Sequence, residues 1–200
     1  MALRPAEVSV EHAAALPVGA ITAYQALHEV AQVRAGQRVL VQAGAGGVGH
    51  LAIQLAKAAG CEVTATCSAH NAAFATDLGA DHTFDYTSGR FEDVLSGFDV
   101  VIDGVGGDVL ERSYQVLKPG GIAVTMPDRP DEAKAEALGV RVGLAFMRPD
   151  AAQLADLLAM VGSGALRVHV DASYPIAEVA AAHVVLEGGH VRGKLVLTTR

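Results

Sequence analysis

One stretch, residues 38–49 with the sequence RVLVQAGAGGVG, constrains the fold of this chain more than any other. Its apolar half ends in a glycine-rich turn, and an amphipathic segment, residues 50–59, follows at once. Gly44, Gly46 and Gly49 therefore fit the pattern G-x-G-x-x-G between a predicted strand and a predicted helix. In that context the glycines allow a tight turn, a close approach of backbone to a pyrophosphate, and close packing of helix on strand. The stretch predicts a dinucleotide-binding site, whereas a glycine cluster without these flanks would indicate no more than a turn.

Strand and helix signals alternate after this turn. The predicted strands are residues 62–68, 82–86, 98–105 and 122–126, and the predicted helices between them are residues 71–78 and 110–117. This alternation is typical of a parallel sheet with helices on both faces. We therefore expect an α/β fold built on a doubly wound parallel sheet.

The two ends of the chain are patterned differently. Ahead of the first strand, residues 19–33 are predicted to form a helix. After Met126 we expect a polar loop, then shorter elements whose order is less regular. These are helices at residues 132–138, 150–161 and 176–187, and strands at residues 140–146, 168–170 and 194–198.

Composition and charge exclude several classes of protein. Residues are 51% hydrophobic but only 4% aromatic, so 200 residues can bury an aliphatic core of one domain or slightly more. The net charge of −7 argues against a nucleic-acid partner, because phosphate contacts need clustered Lys and Arg. No apolar run is as long as a membrane span, and the first residues lack the features of a signal peptide. We expect a cytoplasmic protein with no membrane partner, in which Cys61 and Cys67 are buried free thiols, and no metal site.

Several short segments together carry a resemblance to a known family. They are Thr22-Ala23-Tyr24, Gly36-Gln37, Leu40, Gly44-Ala45-Gly46-Gly47, Gly49, Gln54, Lys57, Leu78-Gly79-Ala80-Asp81, Phe84-Asp85-Tyr86, Leu117-Lys118-Pro119-Gly120-Gly121 and Gly193-Lys194-Leu195-Val196-Leu197. In these segments the chain resembles the zinc-independent quinone oxidoreductase and zeta-crystallin branch of the medium-chain dehydrogenase/reductase superfamily. The resemblance implies a Rossmann domain that binds NADP(H), residues 1–166, followed by a C-terminal remnant of a GroES-like catalytic domain, residues 167–200.

Family members carry the body of that catalytic domain ahead of the point at which this sequence begins. The resemblance therefore implies that the N-terminal catalytic domain is lacking here, either because the chain is a trimmed piece or because the protein is naturally short.

The end of the second strand indicates which dinucleotide is bound. NAD-binding sites of this kind place Asp or Glu there for the ribose 2′-hydroxyl, and residues 66–71 contain no carboxylate. Ser68 and Asn71 could donate hydrogen bonds to a 2′-phosphate, and His70 could add charge when protonated. NADP(H) is favoured over NAD(H), although the family often has Arg or Lys close to His70 and this chain does not. The alternative is that Ser68 and His70 are ordinary exposed loop residues.

The resemblance and the fold together assign the other residues of the cofactor site. The full set is Thr22, Gly44, Gly46, Gly47, Val48, Ser68, His70, Asn71, Tyr86, Gly104, Val105 and Met126. Two of them have plain alternatives, since Tyr86 could be a half-buried residue at a strand end and Thr22 a helix cap. For Asp103, within an apolar strand, a structural hydrogen bond to backbone is favoured over proton chemistry.

The family reaction is hydride transfer from NADPH to a quinone or to the β-carbon of an enone, without zinc. No Ser/His/Asp arrangement is recognisable, and no catalytic residue is assigned. Two other functions stay open: a non-catalytic module that binds NADP(H), and a redox-silent cyclase or isomerase. The resemblance also implies a homodimer formed through an edge strand near residues 140–146, for which an ordinary internal strand is the alternative.

Overall fold

The structure, a computed structural model, describes residues 2–199. Within these residues the main sheet has six parallel strands in the order β3-β2-β1-β4-β5-β6. The strands are β1 (Arg38–Val41), β2 (Glu62–Cys67), β3 (His82–Asp85), β4 (Phe98–Asp103), β5 (Leu117–Thr125) and β6 (Arg141–Leu144). The α/β fold with a doubly wound parallel sheet is thus confirmed.

Helices cover both faces of the sheet. The α-helices are α1 (Val10–Tyr24), α2 (Gly49–Ala58), α3 (Ala72–Asp77), α4 (Gly107–Ser113), α5 (Glu132–Ala137), α6 (Ala151–Gly162) and α7 (Val179–Glu187). A π-helix (Gln25–Val30) follows α1, and 3-10 turns occupy Ala69–Asn71, Phe91–Asp93, Tyr114–Val116 and Ile176–Glu178. One apolar core lies between the sheet and helices α1, α2 and α6, and a smaller core lies under α4 and α5.

The first helix begins earlier than the sequence predicts. Ser9 caps α1 by accepting a hydrogen bond from the amide of His12, and the helix passes through Pro17 rather than starting after it. A proline inside a helix removes one hydrogen bond. The adjacent Leu16 is fully buried and α1 packs against α2 and α6, and this burial offsets the loss. The helix also leaves α geometry after Tyr24, so the predicted end at residue 33 is wrong.

The prediction of a helix over residues 110–117 is also wrong in its bounds. Helix α4 ends at Ser113, and β5 begins at Leu117, which pairs with Phe98. The segment Lys118–Gly121, which lies ahead of the strand predicted at residues 122–126, is therefore part of the strand. It is accommodated by a shift of register between Phe98 and Val100 and by the left-handed backbone of Gly120 (φ +77°).

The C-terminal residues form a small second sheet. The strand predicted at residues 168–170 is wrong in its bounds, because β7 runs from Val170 to Pro175 and shares only Val170 with it. Strand β7 pairs in parallel with β8 (Lys194–Thr198), whose predicted bounds are confirmed. Strand β6 lies at one edge of the main sheet, where an edge strand was expected. None of the helices described is both long enough and apolar enough to cross a lipid bilayer.

Candidate functional site

The order of the strands places a crevice beside the glycine-rich turn. Strand β1 pairs with β2 on one side and with β4 on the other, so the chain reverses direction across the sheet at β1. At such a switch point the connections that leave the carboxyl ends of neighbouring strands go to opposite faces and leave a ligand-binding crevice between them. The turn after β1 lies at this point.

A buried polar network fixes the start of the turn. Gln42, which is 3% exposed, accepts a hydrogen bond from the Thr66 hydroxyl (2.6 Å) and donates one to the Ser113 hydroxyl (3.2 Å). The same Thr66 hydroxyl accepts from the amide of Ala43 (3.2 Å), whose φ of +52° lies in the left-handed region. Non-glycine residues avoid that region unless the surroundings hold them there. The network thus ties β1, β2 and α4 to a strained turn.

The three glycines of the pattern have different roles. A Cβ on Gly44 would lie 2.8 Å from the Cβ of Ala65, and one on Gly49 would lie 2.2 Å from the carbonyl oxygen of Ala43. These two positions therefore let strand, turn and helix pack together. A Cβ on Gly46 would meet only the Ala43 oxygen, at 3.2 Å, and the Ala43 Cβ, at 4.0 Å. Gly46 is the glycine that leaves space for a ligand.

The turn also presents unpaired backbone donors. The amides of Gly47 and Val48, just ahead of α2, donate to no acceptor within the described residues. Amides at a helix N-terminus point outward, and the helix dipole favours negative charge there. A phosphate group placed against Gly46 and Gly47 would meet both the donors and the space that it needs.

Two clefts meet at Gly46. The first, here named the β2 cleft, has a volume of about 300 Å³ and the second, the β4 cleft, about 370 Å³. The β2 cleft is lined by Ala43, Ala45, Gly46, Cys67, Ser68, His70, Asn71, Tyr86, Gly189, His190 and Val191. The β4 cleft is lined by Gln42, Ala43, Gly46, Gly47, Val48, Gly49, Ile102, Gly104, Met126 and Pro127. Larger hollows of about 460 and 550 Å³ lie away from this edge of the sheet.

Most of the residues assigned from the sequence line these two clefts. The β2 cleft contains Gly46, Ser68, His70, Asn71 and Tyr86, and the β4 cleft contains Gly46, Gly47, Val48, Gly104 and Met126. The geometry brings these residues together as predicted, although their contact with a cofactor stays a prediction.

Three assigned residues line neither cleft. Gly44 is buried behind the turn, as its contact with Ala65 requires. The side chain of Val105 is 49% exposed, and its amide donates to Asp103. Thr22 is buried inside α1, where its hydroxyl donates to the carbonyl of Val18 (2.6 Å), so it is not a helix cap either.

Asp103 has the structural role that the sequence favours. Its carboxylate accepts hydrogen bonds from the amides of Val105 (3.1 Å) and Gly106 (3.0 Å) and so holds the backbone beyond β4 in place. The side chain is fully buried, and that burial raises the pKa of its carboxyl.

Sequence reasoning missed the part played by the loop between α7 and β8. Gly189, His190 and Val191 form one wall of the β2 cleft, and the amide of Gly193 donates to the carbonyl of Ala45 (2.8 Å). The side chain of Lys194 runs along the turn, since a Cβ on Gly47 would lie 2.9 Å from its Nζ. Burial lowers the pKa of Lys194, and no carboxylate among the described residues pairs with it. Only the resemblance around Gly193 pointed to this segment.

Sequence reasoning also missed a carboxylate beside the β2 cleft. Asp85, the last residue of β3, is the register partner of Cys67 at the end of β2. Its Oδ1 accepts hydrogen bonds from the amide and the hydroxyl of Thr87, and these bonds lower the pKa of the carboxyl. The absence of an acid from residues 66–71 therefore does not leave this end of the site without one.

Two residues of the recognised pattern have structural roles. Gln54 donates to the carbonyl of Arg167 (2.9 Å) and accepts from its amide (2.7 Å), which fastens the C-terminal segment to α2. Lys57 pairs with Asp81 (2.8 Å) and donates to the carbonyl of Cys61. Cys61 and Cys67 are buried free thiols, as expected.

Within residues 2–199 no group of three or more His, Cys, Asp or Glu side chains is arranged to hold a metal ion. Zinc independence itself stays a prediction.

Comparison with known proteins identifies a family and several relatives that this chain resembles. A family model described as zinc-binding dehydrogenase matches residues 78–197. The zebrafish (Danio rerio) protein named NAD(P)H oxidoreductase RTN4IP1, mitochondrial, is 32% identical over 98% of this chain and 58% of its own length. A spinach (Spinacia oleracea) protein named quinone-oxidoreductase homolog, chloroplastic, is 31% identical over 97% of this chain and 64% of its own.

The solved structures include the quinone oxidoreductase from Coxiella burnetii. It superposes with a TM-score of 0.94 at 38% identity and covers 98% of this chain and 63% of its own. The chain spans less than two thirds of the length of each of these three proteins. Because the family model matches more than half of its residues, this chain belongs to the zinc-binding dehydrogenase family, in the quinone oxidoreductase-like branch of the medium-chain dehydrogenase/reductase superfamily.

Proposed function

We propose that this chain binds NADP(H) across the glycine-rich turn and serves a zinc-independent reductase of quinones or of activated alkenes such as enones. The observation that carries the proposal is the side-chain-free space at Gly46, where two clefts meet in front of the unpaired amides of Gly47 and Val48. The names of the spinach and Coxiella relatives support a quinone oxidoreductase, and the name of the zebrafish relative supports an oxidoreductase that uses NAD(P)H.

In this proposal the two clefts hold the two halves of the dinucleotide. The pyrophosphate lies against Gly46 and Gly47, the adenosine half lies in the β2 cleft, and the nicotinamide half lies in the β4 cleft. When bound, the cofactor supplies a hydride at C4 of the nicotinamide. The part of this chain is to bind and orient: Gly104 and Met126 line the β4 cleft, and Gly104 leaves space because a Cβ there would come no closer than 3.5 Å to Met126.

Turnover by the chain itself tests the proposed reaction. Purified protein is mixed with NADPH and a quinone or an enone, and the loss of nicotinamide absorbance at 340 nm is followed. We expect oxidation of NADPH that depends on the substrate. Tight NADPH binding without turnover would favour the non-catalytic module. Conversion of a substrate without oxidation of NADPH would favour the cyclase or isomerase, and the absence of NADPH binding would refute both the reductase and the NADP(H)-binding module.

A side chain at Gly46 should block the cofactor. Gly46→Val places two methyl groups where the clefts meet, and we expect NADPH affinity to fall by at least about tenfold, which corresponds to about 1.4 kcal/mol. Gly46→Ala is the matched control, because its Cβ needs only a small adjustment at the Ala43 oxygen and should weaken binding less. Fluorescence titration with NADPH measures both effects. Unchanged affinity in Gly46→Val would contradict the assignment of the pyrophosphate to this turn.

Asp85 provides a test of the preference for NADPH over NADH. If the β2 cleft receives a 2′-phosphate, removing the nearby negative charge in Asp85→Asn should tighten NADPH binding about threefold, the scale of an exposed charge interaction. NADH binding should stay unchanged, and Asp93→Asn, an exposed site elsewhere, should alter neither. A selective loss of NADH affinity would show instead that Asp85 holds a ribose hydroxyl, and the cofactor preference would then be wrong.

The remaining predictions concern partners and location. The exposed fraction of Phe146 is 80%, which leaves an apolar side chain uncovered just beyond β6. That exposure supports the predicted dimer through this edge, and the oligomeric state in solution tests it. The identity of the quinone or enone, the dimer and the cytoplasmic location all stay predictions.

A further inference from the structure

The loop between α7 and β8 places a cation, Arg192, directly after Val191 and against Asn71, both of which line the β2 cleft, although Arg192 itself does not line it. Arg192 donates from its Nε to the side-chain Oδ1 of Asn71 (2.9 Å), across 121 residues of sequence. Its guanidinium also lies 4.9 Å from the centre of the Phe74 ring. The side chains of Asn71 and Phe74, which both follow β2 in the chain, therefore fix the position of this charge.

The charge of Arg192 is not neutralised within the described part of the chain. No carboxylate there lies within ion-pair distance of it, and its two Nη nitrogens donate no hydrogen bond to any residue from 2 to 199. A guanidinium carries five N–H donors in a planar fork and keeps its charge at any physiological pH. Since Nε is occupied by Asn71, the donors that remain are those on the Nη nitrogens.

Arg192 also determines the orientation of the side-chain amide of Asn71. A guanidinium can only donate, so the Asn71 atom that it contacts must be the amide oxygen. The amide nitrogen is thereby turned towards Ser68, to whose hydroxyl oxygen it donates (3.3 Å). With that oxygen accepting, the Ser68 hydroxyl proton is free to point elsewhere. The wall of the cleft formed by Ser68 and Asn71 thus presents donors, which suit a phosphate better than they suit a ribose hydroxyl.

We propose that Arg192 determines specificity for the phosphorylated cofactor, both by its fixed charge and by orienting Asn71 towards a 2′-phosphate monoester in the β2 cleft. This inference rests on the proposed binding of NADP(H). It supplies the cation that is absent from the residues following β2. The position is reached only when the C-terminal segment folds back, because the amide of Gly193 is bound to the carbonyl of Ala45 in the turn.

The ratio of NADPH to NADH affinity tests the inference in the full 200-residue chain. Fluorescence titrations compare the wild type with Arg192→Met, which keeps an apolar stem on Phe74 but loses the charge and the hydrogen bond. NADPH affinity is expected to fall at least tenfold, with NADH affinity within twofold of the wild type. Adenosine 2′,5′-bisphosphate, tested as a competitor, should lose affinity in parallel with NADPH, whereas adenosine 5′-monophosphate should not.

Two further variants make the outcome unambiguous. Arg192→Lys keeps the charge but not the planar fork and should give an intermediate loss of NADPH affinity. This variant still tests the role of Arg192 if Arg192→Met fails to fold. Arg141→Met removes an equal charge at the far edge of the sheet and should leave both affinities unchanged. A wild type that prefers NADPH, with the same preference in both Arg192 variants, would overturn the inference alone. A wild type that binds neither dinucleotide would overturn the inference and the proposed function together.

Discussion

Replacing Gly49 with alanine is expected to lower the free energy of unfolding by about 4 kcal/mol, near the upper end of the range for single substitutions. The added Cβ would lie 2.2 Å from the carbonyl oxygen of Ala43 and 2.8 Å from the Cα of Gly44. Both contacts are with backbone, so no side-chain rotation relieves them. The turn would have to open or α2 would have to move away from β1. Urea denaturation followed by circular dichroism gives the difference in stability directly.

Gly89→Ala is the matched control for this substitution. A Cβ on Gly89 meets no atom within 4 Å, and its backbone is not left-handed. Its unfolding free energy should therefore stay within about 0.5 kcal/mol of the wild type. If Gly49→Ala costs less than about 1 kcal/mol, the close approach of α2 to the turn is not a requirement of the fold. The contrast with Gly46→Val is informative, because that change should impair binding more than stability.

The fold was predictable from the sequence where a short-range pattern determines it. Strand β1, the glycine turn and α2 follow one another without a gap, and each has its own signal: an apolar run, glycines and an amphipathic period. The alternation that follows fixes a parallel sheet, and the connections of such a sheet determine which strand ends face the same crevice. Ser68, which directly follows β2, and Gly104, which directly follows β4, line the clefts and could therefore be assigned from sequence alone, whereas Val105 lines neither cleft.

The contacts that could not be predicted join residues far apart in the chain. Asp85 lies beside Cys67 only because β3 pairs with β2 in that register, and Arg192 reaches Asn71 only after the second sheet has formed. Thr22 shows a different limit. The family resemblance assigns it to the cofactor site, and this assignment stays a prediction. In the structure the helix in which Thr22 lies passes through Pro17, and its hydroxyl donates to the carbonyl of Val18. Single residues far from the turn carry no local signal for such positions.

His50 connects the glycine turn to the C-terminal segment through both of its ring nitrogens. Nδ1 donates to the carbonyl of Gly46 (2.8 Å), and Nε2 accepts a hydrogen bond from the amide of His169 (3.4 Å). An imidazole that donates at one nitrogen and accepts at the other is neutral. Burial, followed by the nearby charges of Lys194 and His169, lowers the pKa of His50 from 6.5 to about 4, against the opposing effect of the bond to Gly46.

This depressed pKa makes stability depend on pH. In the unfolded chain His50 binds a proton near pH 6.5, whereas in the folded chain it does so only near pH 4, so the unfolded state binds more protons between these values. Stability contributed by neutral His50 is therefore fully present above pH 6.5 and is lost as the pH falls towards 4. The lowering of the pKa corresponds to about 3 kcal/mol. Protonation would also remove the acceptor for the amide of His169 and so loosen the C-terminal segment.

The variant His50→Asn isolates the contribution of His50 to the pH dependence of stability, because asparagine does not titrate. Whatever its stability at pH 7, the variant should lose about 3 kcal/mol less unfolding free energy than the wild type between pH 7 and pH 4. Carboxyls with lowered pKa, such as those of Asp81 and Asp99, also lose stability over this range, but they do so equally in both proteins and cancel in the difference. His183→Asn, at an exposed site on α7, should follow the wild-type pH profile. Parallel profiles for His50→Asn and the wild type would mean that His50 charges readily in the folded chain, and the hydrogen bonds through which it joins the turn to the C-terminal segment could not then both persist.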